Sequence, residues 1–320
     1  NIDRLAKEGM TFTNAYAAAA NCAPSRASLM TGLYTPRHGV FTVGNSDRGK
    51  AAHRRLIPAT NKTVLTRDLP TMAQILKHAG YRTAVAGKWH LSDDPIPYGF
   101  DTNFGGLKWG APKSYFSPYR NPKLKDGPKG EHLPARLATD LCHWIRKAEE
   151  KNERFFVYFP FYSVHTPIQA RADLTAKYNG KSGTHHRNAK YAAMVEAMDL
   201  AVGQILDLLD ELKLASNTLV VFTSDNGPHG GVSNARPLRG SKGMFYEGGI
   251  REPFLVRWPG KIKASTRIAT PIHQIDLLPT FAALGKAKAP EKLDGVDLSP
   301  IFQGNPIPER SLFWHFPAYL

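Results

Sequence analysis

Asn217-Thr218-Leu219-Val220-Val221-Phe222-Thr223 runs directly into Ser224-Asp225-Asn226-Gly227. The first seven residues are a nearly continuous β-branched and aromatic run, the pattern of a strand buried on both faces. The segment before it, residues 191–214, has apolar residues at Met194, Met198, Ala201, Ile205, Leu208 and Leu212, the period of a long helix. The same alternation recurs outward. Upstream, residues 71–79 read as an amphipathic helix and 81–86 as a strand; 133–151 read as a helix and 154–161 as an apolar strand. Downstream, 253–258 reads as a strand and 275–284 as a helix. Near the start, 2–8 reads as a helix and 11–18 as extended, with a short helix after Pro24. The expected class is α/β: a mostly parallel central sheet with helices on both faces.

In such a sheet, ligands gather at the C-terminal strand ends. Four predicted strands end in polar clusters. Residues 81–86 run into Gly87-Lys88-Trp89-His90, and 154–161 into Ser163-Val164-His165-Thr166-Pro167. Residues 217–223 run into Ser224-Asp225-Asn226-Gly227, and 11–18 into the Cys22 segment. Brought together, they supply cations (Arg26, Lys88, Lys242), imidazoles (His90, His165) and a carboxylate beside an amide (Asp225, Asn226). Hard oxygen donors suit Ca²⁺ or Mg²⁺. Arg and Lys suit a tetrahedral oxyanion. Cys22, with Arg26 and a helix N-terminus nearby, is the nucleophile candidate. The set reads as a metal-assisted hydrolase of an anionic ester.

Composition bounds the alternatives. The 320 residues carry 42 Lys+Arg against 27 Asp+Glu, a net +15 that favours an anionic partner without choosing one. No basic block is interleaved with aromatics as a nucleic-acid platform requires, so no nucleic-acid partner is expected. No apolar run has the length of a membrane span. Two cysteines make neither a disulfide framework nor a zinc cluster. Cys142, beside Trp144 and Ile145 in a helical pattern, reads as a buried small hydrophobe. Asp93-Asp94 reads as a solvent loop, and His53-Arg54-Arg55 and His185-His186 as surface charge.

Cys22-Ala23-Pro24-Ser25-Arg26, followed by Thr31-Gly32, resembles the sulfatase signature in which the cysteine is oxidised to formylglycine (3-oxoalanine). Gly80-Tyr81-Arg82-Thr83-Ala84-Val85-Ala86-Gly87-Lys88-Trp89-His90 resembles the second sulfatase signature. His165-Thr166-Pro167, Asp225-Asn226-Gly227 and Leu238-Arg239-Gly240-Ser241-Lys242-Gly243, running into Glu247-Gly248-Gly249-Ile250-Arg251-Glu252-Pro253, are similar to further family motifs in the family order. The resemblance covers nearly the whole chain and implies an alkaline-phosphatase-like fold.

It also implies a mechanism. Cys22 becomes an aldehyde and then a gem-diol, one hydroxyl of which attacks sulfur while the other later expels sulfate. Arg26 and Lys88 hold the diol, and His90 helps deprotonate it. His165 and Lys242 bind the sulfate and protonate the leaving oxygen. Asp225 and Asn226 ligate one divalent cation, Ca²⁺ in most relatives, and His229 is a candidate substrate contact. The implied partners are a sulfated small molecule or glycan and a formylglycine-generating maturation enzyme. The implied location is a periplasmic, secreted or lysosomal-type compartment. A sulfated sugar is the expected substrate, with basic and aromatic loop residues between 109 and 136 as its lining. Hydrolysis of a phosphate or phosphonate ester on the same fold, or a catalytically dead binder of acidic polysaccharide, are the alternatives.

Family members begin with a strand ending in an Asp-Asp pair that gives two further metal ligands. This sequence starts after that point and ends at what resembles the beginning of a small C-terminal subdomain. The expected organisation is a catalytic domain over 1–305 without its N-terminal strand, and a truncated subdomain from 306 to 320. An internal fragment of a longer sulfatase or a degenerate relative would look this way. Two consequences follow: unpaired backbone in the sheet, and a cation site short of its roughly six to eight oxygens.

Overall fold

The computed structural model describes residues 1–47, 49–181 and 188–318, so His185-His186 lies outside the described residues. The chain opens with α1 (Ile2–Glu8), β1 (Met10–Phe12) and β2 (Ala15–Tyr16). Helix α2 (Cys22–Thr31) begins at Cys22 itself, two residues before Pro24. The proline therefore sits in the first turn, where a missing N–H costs no helical bond. After α3 (Thr35–His38), α4 (Met72–His78) starts with a capping box: Thr71 Oγ1 accepts from the Gln74 N–H at 3.2 Å, and Gln74 Oε1 from the Thr71 N–H at 2.9 Å. Then come β3 (Arg82–Ala86), β4 (Thr102–Phe104), α5 (Leu133–Glu149), β5 (Phe155–Tyr158), α6 (Ala172–Ala176) and α7 (Ala189–Glu211). The last part holds β6 (Val220–Thr223), α8 (Glu247–Ile250), β7 (Phe254–Arg257), β8 (Thr266–Ile268), β9 (Ile272–His273), α9 (Leu277–Gly285) and α10 (Ser299–Phe302).

One sheet has the order β6-β7-β1-β8, a second β4-β3-β5, and β2 pairs with β9. Strand β3 is parallel to both its neighbours, and the β1–β8 and β2–β9 pairs are parallel. Among the strands of the described residues, only β7 runs against the rest, antiparallel to β1 and β6. The sheet is mostly parallel, as the alternation of helix and strand requires.

Period-two alternation puts the helices on both faces. In β3, Val85 packs into a core with Met72 and Leu76 of α4 and Met30 of α2. Its neighbours Ala84 and Ala86 pack on the other face with Leu137, Leu141 and Ile145 of α5 and Met194 of α7. In β7, Phe254 and Val256 join the first core, while Leu255 faces Leu5 of α1 and Leu206 of α7. This is a three-layer α/β/α arrangement. Among the described residues, no helix is long and apolar enough to cross a membrane.

Two predicted strands differ from expectation. Residues 217–223 and 154–161 shorten to β6 and β5; both are half-buried along their length, where the sequence predicts 217–223 to be buried on both faces. The reason is topological. Among the described residues, strand β6 pairs only with β7, and β5 only with β3. Both line one cavity of about 700 Å³ that separates the two sheets. The unpaired backbone expected of the sheet therefore lies along this slot. Residues 306–318 form no helix or strand and lie back on the core. Arg310 pairs with buried Asp276, and the Trp314 indole donates to Ala17 O at 2.8 Å.

Candidate active site

The strand ends do converge. Cys22, Arg26, Lys88, His165, Asp225, Asn226, His229 and Lys242 all line the slot between the sheets. Cys22 is the first residue of α2 and is 3% exposed. The helix N-terminus behind it favours negative charge. Lys88 is placed by Gly87, which has φ +107°; a Cβ there would stand 2.2 Å from Pro160 O. Only glycine lets the chain pass this close, and the Lys88 N–H then donates to that same oxygen at 2.7 Å. His90 follows in a left-handed conformation (φ 65°), uncommon for a non-glycine residue. Lys242 is held from two sides: its own N–H donates to Pro228 O, and the next N–H, of Gly243, to Ala20 O. The Tyr115 hydroxyl donates to His165 O at 2.9 Å and steadies that loop.

Arg26 joins the parts. Its Nε and Nη2 both contact Asp225 Oδ2 at 2.7 Å. Its Nη1 donates to Lys88 O at 2.5 Å and to the Tyr158 hydroxyl at 3.3 Å. One side chain thus ties α2 to the ends of β3, β5 and β6.

The electrostatics follow from burial and crowding of cations. Burial lowers the Lys88 ammonium from its usual range, against the pull of Cys22 and Asp225. Burial alone would raise the Asp225 carboxyl, but Arg26 and Lys88 outweigh it and hold Asp225 far below the ordinary carboxylate range. His90 is lowered to about 3 by burial and then by Lys88 and Arg26. His165 is lowered to about 4, chiefly by burial, with Lys88 and Lys242 adding to it. Both imidazoles are neutral near pH 7.

The oxygen donors suit a hard divalent cation only in part. Asn226 Oδ1 is buried with no hydrogen-bond partner, while its Nδ2 donates to Gly227 O at 2.9 Å. An orphaned amide oxygen beside a permanently ionised carboxylate fits part of a Ca²⁺ shell. It does not fill one. Among the described residues, no group of three or more His, Cys, Asp or Glu side chains could hold a metal ion.

Sequence reading missed three participants. Gln274 bridges the site: its Oε1 accepts from Ser25 Oγ at 2.8 Å, and its Nε2 donates to Ser224 O. Tyr158 partners Arg26 from β5. Glu252 lines the slot with Oε1 unpartnered, and burial followed by Asp225 pushes its carboxyl up to about 8. The available signal is weak: two adjacent polar residues, His273 and Gln274, between apolar Ile272 and Ile275, and one carboxylate before a strand. The remaining polar clusters that the structure describes lie away from the slot. Asp93 and Asp94 pair with Lys108 and Lys123 in loops, His53 and Arg55 are exposed, and burial raises the Cys142 thiol to about 11.

The family model for sulfatases matches residues 1–287. A sulfatase of Formosa agariphila is 34% identical over all of this chain and 70% of its own length. The N-acetylgalactosamine-6-sulfatase of Homo sapiens is 32% identical over 98% of this chain. The chain spans 63% of the length of that human relative. The solved structure of Ps i-CgsB in complex with k-i-k-neocarrahexaose superposes with a TM-score of 0.81 at 33% identity, covering 95% of this chain and 70% of that one. With this site at the end of this sheet, the chain belongs to the sulfatase family.

Proposed function

We propose that this chain is the catalytic part of a sulfuric ester hydrolase acting on a sulfated carbohydrate, with a nucleophile made from Cys22. The observation that carries the reading is the placement of Cys22 at a helix N-terminus, buried beside Arg26 and Lys88, in the cavity that also receives His165, Lys242, Asp225 and Asn226. A buried cationic pocket with a nucleophile at its base suits a tetrahedral oxyanion. The carbohydrate part is supported by the relatives: one is named for N-acetylgalactosamine 6-sulfate chemistry, and one solved structure holds a neocarrahexaose.

The proposed roles follow from charge and burial. Oxidised Cys22 supplies the attacking oxygen, and a maturation enzyme must make it. Arg26 and Lys88 hold that group in place. His90 lines a smaller neighbouring cavity rather than the slot; it takes a proton from that group once a bound anion offsets Lys88 and Arg26, which together with burial hold it neutral at rest. His165 and Lys242 grip the sulfate and face the leaving oxygen. His165 is neutral at rest, but an arriving anion favours its protonated form. Its proton is then available when the leaving group needs it. A Ca²⁺ ion held by Asp225 and Asn226 would offset sulfate charge. His229, exposed at the mouth, is proposed as a substrate contact. The setting proposed is a periplasmic, secreted or lysosomal-type compartment, by family membership.

Intact-peptide mass spectrometry across Cys22 tests the reading. After expression with a competent maturation enzyme, the Cys22 peptide should carry an aldehyde in place of the thiol. An unmodified thiol there sinks the proposal. Matched aryl sulfate and aryl phosphate esters separate sulfatase from phosphatase activity.

Calcium titration gives a second expected result. With one carboxylate and one amide oxygen available, the 320-residue polypeptide should show no tight stoichiometric Ca²⁺ binding by calorimetry. A tight one-to-one isotherm would refute this.

A further inference from the structure

Gln274 reaches the slot from a backbone that is fixed independently of its side chain. It follows β9, whose parallel register sets Ala15 beside Ile272 and Tyr16 beside His273. It opens a single 3₁₀ turn over Gln274–Asp276. The His273 N–H donates to Asp276 Oδ2 at 2.8 Å, and His273 Nδ1 accepts from the Ile275 N–H at 3.3 Å. Asp276, fully buried, also accepts from Arg310 Nη1 at 2.7 Å. A side chain on such a base holds its partners with little freedom of its own.

Gln274 is 1% exposed, and chemistry orients its amide. The Ser224 carbonyl can only accept, so Nε2 faces it; Oε1 then faces Ser25 Oγ, which donates at 2.8 Å. Nε2 also lies 3.4 Å from Thr223 Oγ1. The two anchored residues occupy matching places. Ser25 immediately precedes Arg26 on α2, and Ser224 immediately precedes Asp225 after β6. Each arm of one amide thus holds the residue before one member of the Arg26–Asp225 pair, itself closed at 2.7 Å. Cys22 lies about one turn before Ser25 on the same helix.

We propose that Gln274 is a positioning residue: it sets the spacing between α2, which carries Cys22 and Arg26, and the end of β6, which carries Asp225 and Asn226. The inference deepens the sulfate-ester reading above and rests on it for what that spacing serves. Glutamine alone suits the place. Glutamate would set a carboxylate against Ser224 O, beside Asp225. Asparagine, one methylene shorter, cannot span both partners. Methionine matches the length but has no donor for Ser224 O and only a weak acceptor for Ser25. Without the amide, a buried hydroxyl and a buried carbonyl each lose a partner. The two elements then separate at the slot and draw Arg26 off Asp225. A misplacement of about 1 Å in a reacting site is enough to cost about a hundredfold in rate.

Two measurements on the full 320-residue chain test this. Arg26 and Arg257 are both buried, and each donates through Nε to a carboxylate, at 2.7 and 2.6 Å. Arg257 pairs opposite Val220, at the far end of β6 from Asp225, and so serves as an internal control. In heteronuclear NMR, Gln274→Met should speed exchange of the Arg26 Nε–H about tenfold and leave that of Arg257 unchanged. Calorimetric titration with inorganic sulfate should show binding about tenfold weaker in Gln274→Met. Ser25→Ala should weaken it less, and the double variant should be no weaker than Gln274→Met alone. Ser25→Ala, the milder change, also reads the same clamp where Gln274→Met folds poorly. A merely structural role would move both arginine signals together and leave the sulfate affinity of the folded chain unchanged. That result overturns the proposal and leaves the sulfate-ester reading standing. If the Arg26 signal alone responds but the parent chain binds no sulfate, the clamp stands and the sulfate-ester reading falls.

Discussion

Replacing Arg26 with Ala should cost about 3–5 kcal/mol of stability, because it strands the Asp225 carboxylate in a buried site. The residue is 6% exposed and makes four polar contacts to three separate strand ends. Arg26→Lys should recover little, since a point charge cannot reach Asp225, Lys88 O and Tyr158 together. A double replacement, Arg26→Met with Asp225→Leu, should restore much of the stability, because removing both charges abolishes the desolvation penalty. It should not restore binding of inorganic sulfate. Urea denaturation and sulfate titration on the same variants check both halves. An Arg26→Ala chain as stable as the parent would show that Asp225 is not held as described.

The fold should lose stability steeply in acid. His38 and His273 are fully buried, and burial lowers each to about 3. His38 is satisfied as a neutral ring: Nδ1 accepts from the Val40 N–H at 3.1 Å, and Nε2 lies 2.8 Å from Ser28 Oγ. In the unfolded chain both titrate near 6.5. The unfolded state therefore binds more protons below that pH. Their contribution is fully present above about 6.5 and is lost as pH falls toward 3. Each costs about 1.4 kcal/mol per pH unit in that window, so the pair removes about 3 kcal/mol per unit. Against a typical stability of about 5–15 kcal/mol, this is a large fraction. Buried His132 and half-buried His90 and His165 act in the same direction. Glu252 opposes them: its carboxyl is raised to about 8, so its contribution is present in acid and is lost as pH rises through that value. Thermal denaturation from pH 7 to pH 4.5 should show a falling Tm, and His38→Gln should flatten the slope. A pH-independent Tm over that range would contradict this.

Much of the fold and site is legible because local chemistry repeats at strand ends. The alternation of helix and strand gives the three layers, and each polar cluster stands just after an apolar run. Lys88, His165 and Asp225 could be named from position alone. Strand length was less legible. Residues 217–223 look like a strand buried on both faces and 154–161 like a longer apolar strand, yet the pairing stops at four residues in each. Hydrophobic pattern records which side chains avoid water; it does not record whether a neighbouring strand is present. Gln274 was invisible for a related reason. It carries no charge, and its role exists only once Ser25 and Ser224, 199 residues apart, lie on either side of it.

The sequence alone thus determined the α/β class, the family and which polar residues stand at the strand ends around Cys22, because each depends on residue type and short-range spacing. The tertiary structure alone decided that Arg26 pairs with Asp225, that Asn226 offers a free oxygen, and that Gln274 spans Ser25 and Ser224. Those facts depend on distances across the sheet, where burial and the approach of distant chain segments set the energy of each polar group.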